Sequence, residues 1–114
     1  MITLWHNPRC SKSRQTLALI EAAGHPVTIR KYLDDAPSIS ELDAALAALG
    51  NPPAIEMMRK GEAVFKELGL RADTDDADLI AAMAAHPILI ERPIAVKGAR
   101  AVIGRPPEAV KDLL

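Results

Sequence analysis

Apolar and polar positions recur at two different periods along the chain, and the change of period divides it into three parts. Residues 2–5 form a short β-prone run that ends at an Asn-Pro turn signal. From Ser11, apolar side chains recur at helical spacing until Gly24. Residues 27–33 are rich in β-branched and aromatic side chains, so the first third predicts a strand, a helix and a parallel strand.

The middle third has a helical pattern throughout. Ser38 and Glu41 form a capping box, and leucine and alanine then recur at helical spacing as far as Gly50. Two shorter helical turns are expected after it, since prolines and a glycine divide the next segment. Thr74 is the expected cap of a further helix, which Pro87 ends.

The last third returns to strand character. Residues 88–90 predict a strand, residues 94–103 a hairpin, and Pro106 the start of a terminal helix. The order is therefore βαβ, then helices, then ββα, which defines an α/β fold. The middle helices are too few to bury a core alone. We therefore expect one domain over residues 1–114, with a helical insertion at about 38–85.

Composition limits the classes of function that fit the chain. The hydrophobic fraction of 49% supports a packed core, and a formal net charge of -1 makes nucleic acid an unexpected partner. The N-terminal residues lack a signal-peptide pattern, and no apolar run is long enough to span a bilayer. With one cysteine no intrachain disulfide forms, which suits a reducing compartment, so a cytoplasmic protein without membrane contact is expected.

Cys10 is the residue with the clearest chemistry. It lies where the first strand gives way to the first helix, so free backbone N–H groups of that helix favour a thiolate. Four potential cations are close in sequence: His6, Arg9, Lys12 and Arg14. We expect a lowered pKa, and a drop of about two units, worth about 2.7 kcal/mol, would make thiolate the majority form at neutral pH.

The alternative for Cys10 is a small buried core residue, which is the ordinary environment of a free cysteine. Its position in a polar, basic turn favours the nucleophile instead. The cysteine and the three scattered histidines lack metal-ligand spacing, so no metal is predicted. The acidic stretch from Asp73 to Asp78 lacks the pattern of a calcium loop and is interpreted as a solvated helix start.

The segment His6-Asn7-Pro8-Arg9-Cys10-Ser11-Lys12-Ser13-Arg14, followed by Leu17, resembles the signature of the glutaredoxin-coupled arsenate reductase family. The match continues in order over nearly the whole chain. It includes Tyr32-Leu33, Arg59 after Met57-Met58, Leu68-Gly69-Leu70, His86-Pro87-Ile88-Leu89-Ile90, Glu91-Arg92-Pro93-Ile94 and Gly104-Arg105-Pro106.

This resemblance implies a thioredoxin-like fold with an inserted helical portion and a catalytic cysteine, Cys10. By position, it also implies oxyanion binding by Arg59, Arg92 and Arg105, and support of the thiolate by His6, Ser13 and Arg14. Several planar cationic donors would neutralise the oxyanion, because a divalent oxyanion and an attacking thiolate otherwise repel each other. The thioredoxin-like fold also suggests a cis peptide bond at Arg92-Pro93.

The implied reaction is attack of the Cys10 thiolate on arsenate, followed by reduction with glutathione as co-substrate and no bound cofactor. Because the chain has no second cysteine, the resolving thiol must come from outside, which implies glutathione and a glutaredoxin as partners. Two alternatives stay open: a thiol oxidoreductase with another substrate, and an adaptor of the same fold that binds a protein. Adaptors of this kind use a Cys-x-x-Cys pair, whose second position is Ser13 here.

Overall fold

A four-stranded mixed sheet lies at the centre of the fold. The computed structural model describes residues 1–114. The strands are β1 (Ile2–Trp5), β2 (Val27–Arg30), β3 (Ile94–Lys97) and β4 (Arg100–Ile103), arranged in the order β2-β1-β3-β4. β1 and β2 are parallel, whereas the β1–β3 and β3–β4 pairs are antiparallel.

Four α-helices connect and cover the strands: α1 (Ser11–Ala22), α2 (Ile39–Ala48), α3 (Ala63–Glu67) and α4 (Asp76–Ala85). Short 3-10 helices occupy Ala54–Met57, Pro87–Leu89 and Pro107–Leu113. A membrane-crossing helix, which needs about 20 apolar residues, is not found among them.

The sheet separates two hydrophobic clusters, as the alternation of side chains along a strand requires. Ile2 and Leu4 of β1 lie in the smaller cluster, with α1 and the C-terminal 3-10 helix. Trp5 lies in the larger cluster of 14 buried residues, to which α2 and α4 contribute. The helices of the middle third therefore cover one face of the sheet, and α1 covers the other.

The βαβ unit, the capping box and the hairpin are confirmed. β1 and β2 pair in parallel, Ser38 and Glu41 make the reciprocal capping hydrogen bonds, and β3 pairs with β4. Residues 38–85 contain α2, α3 and α4, but their description as an insertion into one domain stays a prediction.

Several predicted boundaries are wrong. β2 ends at Arg30, because the N–H groups of Asp34 and Asp35 bond to Lys31 O and turn the chain. Thr74 does not cap α4: its hydroxyl accepts the N–H of Arg71, and Asp75 is the cap.

The segment predicted as a strand at residues 88–90 is largely helical. Pro87 begins a 3-10 turn there, and only Ile90 makes a β-bridge, with Met58. The terminal helix is also of the 3-10 type, over Pro107–Leu113.

Candidate active site

Cys10 is the N-cap residue of α1 and is half-buried. The preceding turn is closed by two hydrogen bonds to Asn7: Cys10 N–H donates to its carbonyl at 3.0 Å, and Arg9 N–H to its side-chain oxygen at 3.0 Å. The turn places the sulfur at the start of α1, where free N–H groups carry the positive end of the helix dipole.

His6 and Ser13 form a buried polar pair beneath this turn. His6 Nδ1 lies 2.6 Å from Ser13 Oγ, which also accepts the backbone N–H of Asn7 at 3.0 Å. Burial, and then the charges of Lys31 and Arg14, lower the pKa of His6. Burial therefore disfavours the cationic form of His6 that the sequence suggested, and its ring holds the turn to α1 through Ser13.

Arg14 also contacts the turn through hydrogen bonding. Its Nη1 donates to Pro8 O at 2.8 Å, so the guanidinium ties the loop to α1. Arg9 is exposed, and its charge has no contact with the sulfur.

An isolated β-bridge between Met58 and Ile90 brings the first two predicted anion-binding arginines together. Arg59 N–H donates to Leu89 O at 2.8 Å, and Glu91 N–H donates to Met57 O at 2.7 Å. These two backbone hydrogen bonds align the segments that carry Arg59 and Arg92. Residues more than thirty positions apart in sequence therefore line one cleft.

Arg105 enters the same cleft from the end of β4. Its Nη1 lies 3.9 Å from Cys10 Sγ and donates to Arg92 O at 3.1 Å. Gly104 makes this approach possible, because a Cβ there would lie 2.5 Å from Thr16 Oγ1 and 2.8 Å from Pro93. The peptide bond Arg92-Pro93, for which the thioredoxin-like fold suggested a cis form, is cis, and so is Arg105-Pro106.

The cleft measures about 440 Å³ and is strongly polar. Its lining carries four cationic and two acidic side chains, which are Arg59, Lys60, Arg92, Arg105, Glu62 and Glu91. Each predicted arginine has a carboxylate nearby: Glu62 lies 3.3 Å from Arg59, and Glu91 lies 3.2 Å from Arg92 and 3.9 Å from Arg105. The arrangement offers several guanidinium donors to one anion.

The pKa of the Cys10 thiol is lowered, in the direction that the sequence predicts. Partial burial raises it, but the backbone N–H groups of Ser13 and Lys12, the charge of Arg92 and a hydrogen bond from Arg105 together outweigh burial. The sequence attributed the lowered pKa of Cys10 to the basic side chains nearest to it along the chain, and this attribution is corrected. Helix N–H groups and two arginines distant in sequence stabilise the thiolate.

Tyr32 lies against this site with its hydroxyl fully buried. Burial raises its pKa, the charges of Arg59 and Arg92 lower it, and the Cys10 thiolate raises it again. Asn7 faces the hydroxyl, yet no group satisfies hydrogen-bond geometry with it. An unpaired buried hydroxyl is uncommon and costs free energy.

Three residues of the site were not identified from the sequence. Glu91 is adjacent to Arg92, and Glu62 follows Arg59 at i,i+3 spacing, so local charge pairing could have indicated both. Tyr32 lies in a segment of the family match, but no local pattern indicated that its hydroxyl would face the site. No group of three side chains that could hold a metal ion is present.

Fold and site together define a thioredoxin-like α/β protein with an activated thiol beside a cleft of arginines. The model of the ArsC family matches residues 5–113, and the chain belongs to this family. It is 43% identical to the arsenate reductase of Haemophilus influenzae, covering 99% of this chain and 98% of that protein. It is 44% identical to the arsenate reductase of Neisseria meningitidis serogroup A, covering 99% of this chain and 97% of that protein.

The solved structure of the arsenate reductase from Vibrio cholerae has the same fold. It superposes with a TM-score of 0.94 at 47% identity, covering 99% of this chain and 97% of that one. The thioredoxin-like fold predicted from the sequence is therefore confirmed.

Proposed function

We propose that the protein is an arsenate reductase that uses Cys10 as its nucleophile and takes its second thiol from glutathione and a glutaredoxin. The observation that carries the proposal is the position of Arg105 Nη1, 3.9 Å from Cys10 Sγ, at the mouth of the arginine cleft. An oxyanion held by these donors lies next to the nucleophile. The arsenate reductases of three bacteria with 43–47% identity support the choice of oxyanion.

In the first step the Cys10 thiolate attacks arsenic, an As–S bond forms, and one As–O bond breaks as the oxygen leaves as water or hydroxide. Arg59, Arg92 and Arg105 neutralise the anion so that the thiolate can approach it. Arsenic stays pentavalent in this adduct. His6, Ser13 and Arg14 hold the turn that aims the sulfur.

Reduction needs two electrons, and two thiols supply them by becoming one disulfide. Cys10 is one of the two, and glutathione is the other, since the chain has no further cysteine. Arsenic gains the electron pair and leaves as arsenite, and Cys10 remains in a mixed disulfide with glutathione. A glutaredoxin thiolate then attacks the glutathione sulfur of this disulfide, the S–S bond to Cys10 breaks, Cys10 leaves as a thiolate, and the glutaredoxin carries the glutathione as a new mixed disulfide. This chemistry suits the reducing environment of the cytoplasm.

A coupled assay tests the proposal by following NADPH oxidation through glutathione reductase, with arsenate, glutathione and glutaredoxin present. Turnover should require all three components and should vanish in Cys10→Ser. Ser11→Ala, which changes an exposed neighbour, is the matched control and should keep its activity. Absence of turnover in the wild type would refute the proposal. Turnover with another oxidised substrate alone would identify a different thiol oxidoreductase, and tight binding of a protein without turnover would favour the adaptor.

A further inference from the structure

Glu91 places a carboxylate among the guanidinium groups of the cleft. One oxygen, Oε1, lies 3.2 Å from Arg92 Nη1 and 3.9 Å from Arg105 Nε, and it also accepts the backbone N–H of Arg92 at 3.3 Å. The Glu91 side chain is 22% exposed, so this contact is partly shielded from water. Arginine donors that face a carboxylate are the same donors that an oxyanion would use.

The two acidic residues of the cleft differ in what they contact. Glu62 pairs with Arg59 alone, at i,i+3 spacing, whereas Glu91 reaches both arginines that lower the pKa of Cys10. With both carboxylates ionised, the lining has a formal charge of +2. An oxyanion beside Cys10 therefore meets Glu91 as a negative neighbour on the same donors.

The backbone of Glu91, and not its carboxylate, holds the segment in place. Its N–H donates to Met57 O at 2.7 Å across the Met58–Ile90 bridge. The carboxylate makes none of these backbone contacts and instead faces Arg92 and Arg105 of the site. A partly buried carboxylate also loses some of its hydration, which only its contacts with the arginines offset.

We propose that the Glu91 carboxylate is a built-in competitor of the oxyanion: it occupies a donor of Arg92, lies 3.9 Å from Arg105 Nε, and so sets the affinity of the site for the anion. The inference rests on the proposed anion-binding role of these arginines. Anion binding displaces the carboxylate from at least one guanidinium. Glu91 thus weakens binding of any oxyanion and limits the occupancy of the site by anions that are abundant but not substrates.

Glu91→Gln tests the inference, because glutamine keeps the shape and removes the charge. The probe is inorganic phosphate, an oxyanion that the thiol cannot reduce, and its Kd is measured by calorimetry at constant ionic strength in a chloride buffer. Loss of one charge-assisted competitor should tighten phosphate binding by about tenfold or more. Glu67→Gln, which removes an exposed charge with no ion pair, is the control for net charge and should bind as the wild type does.

The sign of the change separates competition from a structural role. If Glu91 instead held the arginines in a productive arrangement, Glu91→Gln would bind phosphate more weakly than the wild type. A Kd of Glu91→Gln that equals or exceeds the wild-type Kd therefore overturns the inference. Equal tightening in Glu67→Gln would also overturn it, because the effect would then be one of overall charge.

The outcome is independent of whether the protein reduces arsenate. Wild-type turnover of arsenate with no tighter phosphate binding in Glu91→Gln would refute the role of Glu91 and leave the reductase proposal intact. Tighter phosphate binding in Glu91→Gln, with no arsenate reduction by the wild type or any variant, would support the role of Glu91 and refute the reductase proposal. In an active enzyme, Glu91→Gln should lower KM for arsenate more than it changes kcat.

Discussion

Two arginine–glutamate clusters of this protein use the same chemistry for different ends. Arg30 has most of its donors occupied: Nε donates to Asp35 O at 3.1 Å, Nη2 to Ala36 O at 3.2 Å, and both Nη atoms to Glu41. Its guanidinium carbon also lies 5.8 Å from the centre of the Trp5 ring. This cluster joins the end of β2 to the start of α2 and uses four of the five guanidinium N–H donors.

Arg105 has a looser environment. Its side chain is 36% exposed, and its contacts are Arg92 O at 3.1 Å, Cys10 Sγ at 3.9 Å and Glu91 at 3.9 Å. Longer contacts leave guanidinium donors available to an incoming anion. Arg105 thus has more unoccupied N–H donors than Arg30, and this difference, rather than the presence of an arginine–glutamate pair, distinguishes the binding cluster from the structural one.

The largest expected effect is on catalysis. Arg105→Ala should lower kcat/KM for arsenate by about 10- to 150-fold, since one charge-assisted contact contributes about 1.5 to 3 kcal/mol. Arg30→Ala, measured at a temperature where both variants are folded, should keep kcat/KM within about twofold of the wild type. An equal loss in the two variants would show that the clusters do not differ in function.

The next effect concerns the thiolate. The pKa of Cys10 should lie below that of an unperturbed thiol, about 8.5, and Arg105→Ala should raise it because a hydrogen bond to the charged form is lost. The rate of alkylation by iodoacetamide, measured against pH, gives the midpoint for each variant. The midpoint should not move in Arg30→Ala, and an unchanged midpoint in Arg105→Ala would contradict the role of this guanidinium.

The contribution of the Arg30–Glu41 pair to the free energy of unfolding should depend on pH in the acid range. The hydrogen bond from Arg30, followed by the Ser38 backbone N–H, lowers the pKa of Glu41 to about 2 from an ordinary 4.5. The unfolded chain therefore takes up this proton first, and the stabilisation present above pH 4.5 is lost as the pH falls toward 2. Because Glu41 is solvent-exposed, screening reduces the contribution to about 1 kcal/mol or less.

Urea unfolding of the wild type and Glu41→Gln at pH 6 and pH 2.5 measures this contribution. The wild type should be the more stable at pH 6, and the difference should shrink at pH 2.5. A constant difference would show that the carboxylate charge is not involved.

Most helices and strands could be predicted from local sequence patterns, whereas the arrangement of the site depends on contacts between residues that are distant in sequence. The Ser38–Glu41 capping box and the hairpin of β3 and β4 were predictable because they depend on residues within a few positions of each other. The convergence of Arg59 and Arg92 was not predictable from local patterns. It depends on the bridge between Met58 and Ile90, which pairs segments that carry no extended strand pattern. Only the family resemblance placed these arginines together.

The sequence was least informative about charge. The basic residues nearest to Cys10 in sequence were expected to lower the pKa of its thiol, yet Arg14 donates to Pro8 O, and burial lowers the pKa of His6 and so disfavours its charged form. The groups that act are backbone N–H groups and the distant Arg92 and Arg105. Sequence spacing reports which charges are near along the chain, whereas the pKa depends on which are near in space.

The smallest expected effect concerns Tyr32, whose hydroxyl lies beside the arginines of the site. Arg30 has most of its donors paired, whereas the Tyr32 hydroxyl beside the site is buried without a partner. Tyr32→Phe removes an unsatisfied polar atom and keeps the ring, so the free energy of unfolding should stay the same or rise by about 1 kcal/mol. Urea unfolding measures this change, and phosphate calorimetry on the same variant shows whether the hydroxyl serves the anion. A loss of more than about 1 kcal/mol of stability would contradict the absence of a partner.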